Sequence, residues 1–189
     1  MESAESTQPQ TAAAREKSQL MSASEIDRTL VRLAHEILER HNGLEGLVLV
    51  GIRRRGVPLA ERLGRKMTEI EKTVPPVETL DVSRHRDDVA RGDRRAGGPP
   101  GFCVEGKTVI LVDDVLYTGR TTRAALEALA DHGRPRRIEL CVLIDRGQRE
   151  LPIQANYVGR AVSTSPGEVI SVRLREVDNQ DRVMLCERA

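Results

Sequence analysis

Two neighbouring carboxylates, Asp113 and Asp114, end the apolar run Val109–Val112 and are followed closely by Thr118, Gly119, Thr121 and Thr122. A short continuous apolar run is the pattern of a strand buried on both faces. In open parallel sheets, ligands bind where such strands end. Two acids at that edge either accept hydrogen bonds from vicinal sugar hydroxyls or organise Mg2+ on a phosphorylated ligand. Thr118 and Thr121 add hydroxyl donors, Gly119 lets the backbone approach closely, and N–H groups at a helix start hold phosphate. The plainer alternative is that these residues only cap the next helix, but a cap needs no second acid behind a fully apolar strand. The chain has neither G-x-x-x-x-G-K-[ST] nor G-x-G-x-x-G after a strand, which excludes a P-loop and a dinucleotide fingerprint.

The elements that must position these groups are legible in outline. Residues 1–20 are polar and without periodicity and read as a disordered lead-in. Ser24 with Asp27 has capping-box spacing, and Ile26, Leu30, Leu33 and Ile37 recur at helical intervals until Asn42-Gly43. A buried strand, Leu47–Ile52, leads into a three-arginine turn bounded by Gly51 and Gly56, then a helix from Val57 to about Met67. A strand over Val77–Ser83 precedes Arg84–Gly101, where five arginines, three aspartates, four glycines and two prolines show no apolar period. Residues 84–106 therefore read as a long mobile loop. Then come a strand over Thr108–Val115, a helix over Thr122–His132, and strands over Ile138–Asp145, Tyr157–Val162, Val169–Val177 and Arg182–Glu187. Alternating strands and helices specify an α/β fold with a mostly parallel sheet.

Composition narrows the rest. The 189 residues with 39% hydrophobic content suit one domain, over 21–189. Thirty basic against twenty-nine acidic residues leave a net charge of +1, so any nucleic-acid surface must be a local patch. Aromatic content of 2%, with Phe102, Tyr117 and Tyr157 its only members, disfavours single-strand binding by a base-stacking platform. Three cysteines argue against a disulfide framework and fit a reducing cytoplasm. No apolar run approaches the ~20 residues of a membrane span.

The Val109–Thr122 segment resembles the phosphoribosyl-pyrophosphate (PRPP) motif of the type I phosphoribosyltransferases. DDVLYTGRT, taken with LAHEILER, GRP and DRGQRELPI, is similar to the family of bifunctional pyrimidine-operon regulators and uracil phosphoribosyltransferases, from about Met21 to Glu187. The resemblance implies a parallel sheet flanked by helices, with a small hood from the C-terminal part (145–189). It implies the reaction of uracil with PRPP to give UMP and pyrophosphate, with Mg2+ carried on PRPP rather than ligated by side chains. On that likeness Asp113 and Asp114 hold the ribose hydroxyls, and Thr118, Gly119, Arg120, Thr121 and Thr122 hold the 5′-phosphate. Val115, Leu116 and Tyr117 complete the motif. Arg54, Arg55 and Gly56 form the pyrophosphate loop, and Arg86 with the loop after it closes over the leaving group. Asp145, Arg146 and Val162 face the uracil or uridine part.

The same resemblance implies binding to the leader mRNA of a pyrimidine operon, with UMP or UTP as effector, by a homodimer or higher homo-oligomer. It places Arg32, His35, Arg40, Arg149 and Arg160 at the RNA surface. Phosphate contacts of this kind supply affinity rather than sequence reading. Several positions depart from the family pattern: Arg54 for a threonine, His85 for a tyrosine, Val31 for a hydroxyl residue, Gln148 for a histidine and Ser163 for a proline. Two other readings remain open, a nucleotide-sensing RNA binder without turnover and a phosphoribosyltransferase for another base.

Overall fold

The structure, a computed structural model, describes residues 15–85 and 101–187. Its centre is a five-stranded, all-parallel sheet built from β2 (Leu47–Ile52), β3 (Val77–Leu80), β4 (Thr108–Leu116), β5 (Arg137–Asp145) and β6 (Tyr157–Ala161), in the order β3-β2-β4-β5-β6. Every residue of β2 is buried, as its unbroken apolar run requires. The chain leaves β2 toward β3 on one side and β4 toward β5 on the other. The strand order therefore reverses between β2 and β4, and the crevice at their carboxyl ends is the switch point where such sheets bind ligands.

Helices α1 (Ala23–His41) and α2 (Gly56–Glu71) cover one face, through Ile26, Leu30, Leu33, Ile37, Leu59, Leu63 and Met67. Helix α3 (Arg120–Leu129) covers the other with Ala124, Ala125, Ala128 and Leu129. The capping box of α1 is Ser22 with Glu25, not Ser24 with Asp27: the Ser22 hydroxyl accepts the Glu25 N–H, and Glu25 accepts the Ser22 N–H at 2.8 Å. Asn42, in the left-handed conformation at φ 54°, ends the helix where expected.

A second, antiparallel sheet has the order β1-β8-β7, from β1 (Arg15–Ser22), β7 (Glu168–Arg173) and β8 (Arg182–Glu187). Two expectations change here. Residues 15–20, read as part of a disordered lead-in, are strand. They carry no apolar period because β1 is held by its backbone register with β8 and by Glu16 with Arg182 and Arg173 at 2.9 and 2.7 Å. The strand expected over Val169–Val177 stops at Arg173, and a short helix, α4 (Arg175–Asp178), follows because the Asp178 carboxylate accepts the Leu174 N–H at 3.0 Å. The small sheet is thus built from both ends of the described chain, and β6, expected in the hood, is an edge of the parallel sheet.

Candidate active site

The last turn of β4 brings the acid pair to the switch point. Asp113 is 8% exposed, and its Oδ1 accepts the Asp114 N–H at 2.9 Å, while Asp114 Oδ1 accepts the Val115 N–H at 2.9 Å. Burial pushes the Asp113 carboxyl well above the ordinary range, and the neighbouring Asp114 charge pushes it further. Burial also raises Asp114, although the Arg55 guanidinium opposes that shift. A cation or a set of hydroxyl donors beside the pair would offset this cost of charge. Among the described residues no group of three or more His, Cys, Asp or Glu could cage a metal ion. Two acids alone fit a divalent ion whose other ligands come from the substrate.

Two glycines let backbone crowd this edge. A Cβ at Gly56 would lie 2.3 Å from the Val112 carbonyl, so the arginine turn is pressed directly against β4. Gly119 adopts φ 91° at the start of α3, with Leu151 and Ile153 packed over it. The Thr118 hydroxyl accepts the Arg120 N–H at 3.4 Å, and the first amides of α3 have no acceptor within the helix itself. Thr121 is exposed at this mouth, whereas Thr122 is buried at 4% exposure. Leu116 is buried too and offers the site only its backbone, its carbonyl accepting the Arg146 N–H.

The segment after β5 folds over the same turn. Glu150 and Leu151 donate their N–H groups to the Thr118 carbonyl at 3.0 and 3.1 Å. Arg149 staples the segment together: it donates to the carbonyls of Tyr117, Gly147 and Ile153 and pairs with Asp145 at 2.6 Å. Arg146, 6% exposed, donates to the Thr164 hydroxyl and the Glu168 carbonyl and stacks its guanidinium on the Tyr117 ring. Val162 donates its N–H to the Asp145 carbonyl at 2.8 Å. A cleft of about 520 Å³ opens here, lined by Asp145, Gly147, Arg149, Leu151, Ile153 and Gln154.

The structure thus gathers Arg55, Gly56, Asp113, Asp114 and the Val115–Thr122 turn at one edge, with Asp145, Arg146 and Val162 in the segment above. Within the arginine turn, Arg53 pairs with Asp81, Arg54 is exposed, and Arg55 forks onto Asp178. Arg86 lies outside the described residues. Arg32 and Arg160 meet elsewhere, in a groove of about 300 Å³ between α1 and β6 that Arg28 also lines. Arg32 donates to the carbonyls of Val158 and Gly159, and Arg160 to that of Leu20. His35 is exposed on the same helix, and Arg40 lies 5.6 Å over the Tyr157 ring. Arg149 lines the other cleft and spends its donors on its own segment, so it does not join that group. Sequence reasoning missed Asp178 and Glu150, acids that meet Arg55 and Arg120 from distant parts of the chain.

Comparison with known proteins agrees with this geometry. Residues 18–176 match the family described as the phosphoribosyl transferase domain. "Bifunctional protein PyrR" of Pelotomaculum thermopropionicum is 55% identical over 180 residues, 93% of this chain and 99% of that protein. The protein of the same name from Thermus thermophilus is 54% identical over 176 residues, 91% of this chain and 97% of its own. A hypoxanthine phosphoribosyltransferase structure from Staphylococcus aureus aligns at TM-score 0.70 with 22% identity, over 91% of this chain and 92% of that one, which speaks for the fold alone. By match length, relatives and fold, the chain belongs to the phosphoribosyltransferase domain family and, within it, to the PyrR group.

Proposed function

We propose that the protein converts uracil and PRPP into UMP and pyrophosphate, and that it also binds the leader mRNA of pyrimidine genes as a UMP- or UTP-responsive attenuator. The observation that carries the enzymatic half is the pair of buried Asp113 and half-buried Asp114 at the strand switch point, between the start of α3 and the arginine turn. The name borne by its relatives supports joining the two activities.

In the reaction the bond from the anomeric carbon to pyrophosphate breaks with its electron pair leaving on pyrophosphate, a bond to the uracil ring nitrogen forms, and that nitrogen releases its proton. Positive charge builds on the ribose and negative charge on the leaving group. Asp113 and Asp114 hold the ribose hydroxyls and place negative charge beneath the developing cation. Amides and hydroxyls of Thr118–Thr122 fix the 5′-phosphate. Arg54 and Arg55 face the pyrophosphate, joined by Arg86 of the following loop, and the segment around Asp145, Arg146 and Val162 covers the base and excludes water. Mg2+ bound with PRPP supplies charge neutralisation at the leaving group.

For the RNA half, Arg28, Arg32 and Arg160 form a basic groove beside exposed His35, with Arg40 farther along the same helix. Such a face suits the phosphates of a folded hairpin. The regulator works in the cytoplasm as a homodimer or larger homo-oligomer.

The test is UMP and pyrophosphate formation from PRPP, Mg2+ and uracil, beside parallel reactions with hypoxanthine, guanine, adenine and orotate. Turnover with uracil alone is expected. Turnover with another base overturns the substrate, and silence with all five in a protein that binds UMP identifies a sensor without catalysis.

A further inference from the structure

We propose that Asp178 is a positioning residue for the pyrophosphate group, acting through Arg55; the inference rests on the pyrophosphate reading of the arginine turn given above. Arg55 sits one residue before Gly56, whose contact with the Val112 carbonyl fixes the turn against the acid pair. From there its guanidinium reaches the hood sheet. Nε donates to Asp178 Oδ2 at 3.1 Å and Nη2 to Oδ1 at 2.7 Å. A guanidinium has two edges that can each grip an oxyanion in parallel. Asp178 takes the Nε/Nη2 edge, and Nη1 makes no hydrogen bond among the described residues, with the Asp114 charge near the same guanidinium. The edge left over, Nη1 with the second hydrogen of Nη2, is the one that can meet phosphate oxygens.

The carboxylate can do this because it is itself held. Its Oδ2 also accepts the Leu174 N–H at 3.0 Å. The helix that carries it, α4, is tied to α2 independently of Arg55: Arg62 forks onto Glu176 at 2.9 and 2.6 Å and reaches Asp181 at 2.6 Å. Asp181 in turn accepts the Arg175 N–H. Arg62 and Arg55 thus form two rungs between the arginine-bearing edge of the catalytic sheet and the hood, one structural and one facing the site. Arg53 and Arg54 have no such support from the hood: Arg53 is exposed and pairs with equally exposed Asp81, and Arg54 is exposed.

Plain electrostatics and positioning predict opposite signs. Removing a negative charge near an anion site should tighten pyrophosphate binding, whereas loss of an orienting carboxylate should weaken it. Asp178→Asn separates them, since its amide oxygen still accepts the Leu174 N–H while its NH2 faces Nη2 and breaks the fork. In the full-length protein with Mg2+, the variant is expected to raise the Kd for inorganic pyrophosphate and the KM for PRPP about tenfold. The kcat should stay within about twofold, and UMP, which lacks pyrophosphate, should bind as before. Arg55→Gln and the Arg55→Gln/Asp178→Asn pair should give equal pyrophosphate affinities, because Asp178 has no route except Arg55. Unchanged or tighter pyrophosphate binding in Asp178→Asn overturns the inference, as does equal weakening of UMP, which marks a general loss of structure. Wild-type protein that binds no pyrophosphate overturns the reading of the turn itself.

Discussion

The Arg146 guanidinium lies 4.0 Å from the centre of the Tyr117 ring, so the residue after β5 grips the residue after β4 across the mouth of the site. The same guanidinium donates to the Thr164 hydroxyl at 3.1 Å and the Glu168 carbonyl at 2.9 Å. One buried cation therefore joins the phosphate turn, the strand β7 and the segment above the base. Arg146→Ala should cost about 3 kcal/mol by leaving the Glu168 carbonyl and the ring face without their donor. The urea midpoint should fall in proportion, and UMP affinity should weaken with it. A midpoint within experimental error of wild type would refute the role.

Asp113→Asn with Asp114→Asn should reduce UMP formation by at least about a thousandfold, the scale of losing charge stabilisation at a reacting centre. The fold should survive, since each amide oxygen still accepts the N–H that its carboxylate now accepts. Stability should change with pH in a defined sense. Both carboxyls are raised in the folded protein, by burial first, so the folded state binds protons more tightly than the unfolded one. Their contribution is then most favourable at low pH and declines as pH rises from about 4 through the raised values. The double variant should match wild type near pH 4 and melt higher above pH 7. A pH-independent difference in Tm would refute the assignment.

Glu139 behaves in the opposite way. It is 2% exposed at the base of β5, where the Tyr157 hydroxyl donates to it at 2.5 Å and His41 lies at 2.9 Å. Burial alone would raise its carboxyl, but hydrogen bonds from Tyr157 and His41 prevail and hold it below the ordinary value of 4.5. The Tyr157 hydroxyl is pushed up, by burial and then by Glu139. Stability from Glu139 is fully present above about pH 4.5 and is lost as pH falls through its lowered value. Glu139→Ala should cost about 3 kcal/mol, roughly 6–12 °C in Tm for a domain of this size. Glu139→Gln should flatten the acid limb of the stability curve, and an unaltered limb would contradict the arrangement.

Arg32→Ala with Arg40→Ala should weaken leader-RNA binding about tenfold at moderate salt and lower the salt slope by about 2, one for each phosphate no longer neutralised. UMP synthesis should be unchanged, because neither side chain lies at the acid pair. Equal affinity and slope would remove α1 from the RNA surface.

What the sequence made legible follows from where the signal was stored. Leu47–Ile52 and Arg182–Glu187 match their strands end to end because burial fixed their apolar residues. Asp113, Asp114 and Gly119 were legible because a strand end, an acid pair and a left-handed turn adjoin in the chain. The strand Arg15–Ser22 was not, since only Met21 in it is buried and its partner lies at the far end of the sequence. Arg146 and Arg149 stood out by residue type, whereas their hydrogen bonds to the Glu168 and Ile153 carbonyls are set by the fold and left no mark in the sequence. Asp178 escaped notice for the same reason: its meaning is a contact across 123 positions.

The pairing of Arg15 with Glu187 has a consequence for biosynthesis. The parallel sheet has all of its strands once Ala161 has emerged from the ribosome, because they lie between Leu47 and Ala161. The small sheet closes only when β8 is released, since β8 is the middle strand and both β1 and β7 pair with it alone. All residues of the phosphate-binding half therefore precede β8 in the chain, and β1 waits unpaired until β8 emerges. Asp178 follows Ala161 in the chain, so Arg55 gains its carboxylate partner only after every strand of the parallel sheet has been made, and the pyrophosphate side of the site is completed after the ribose side.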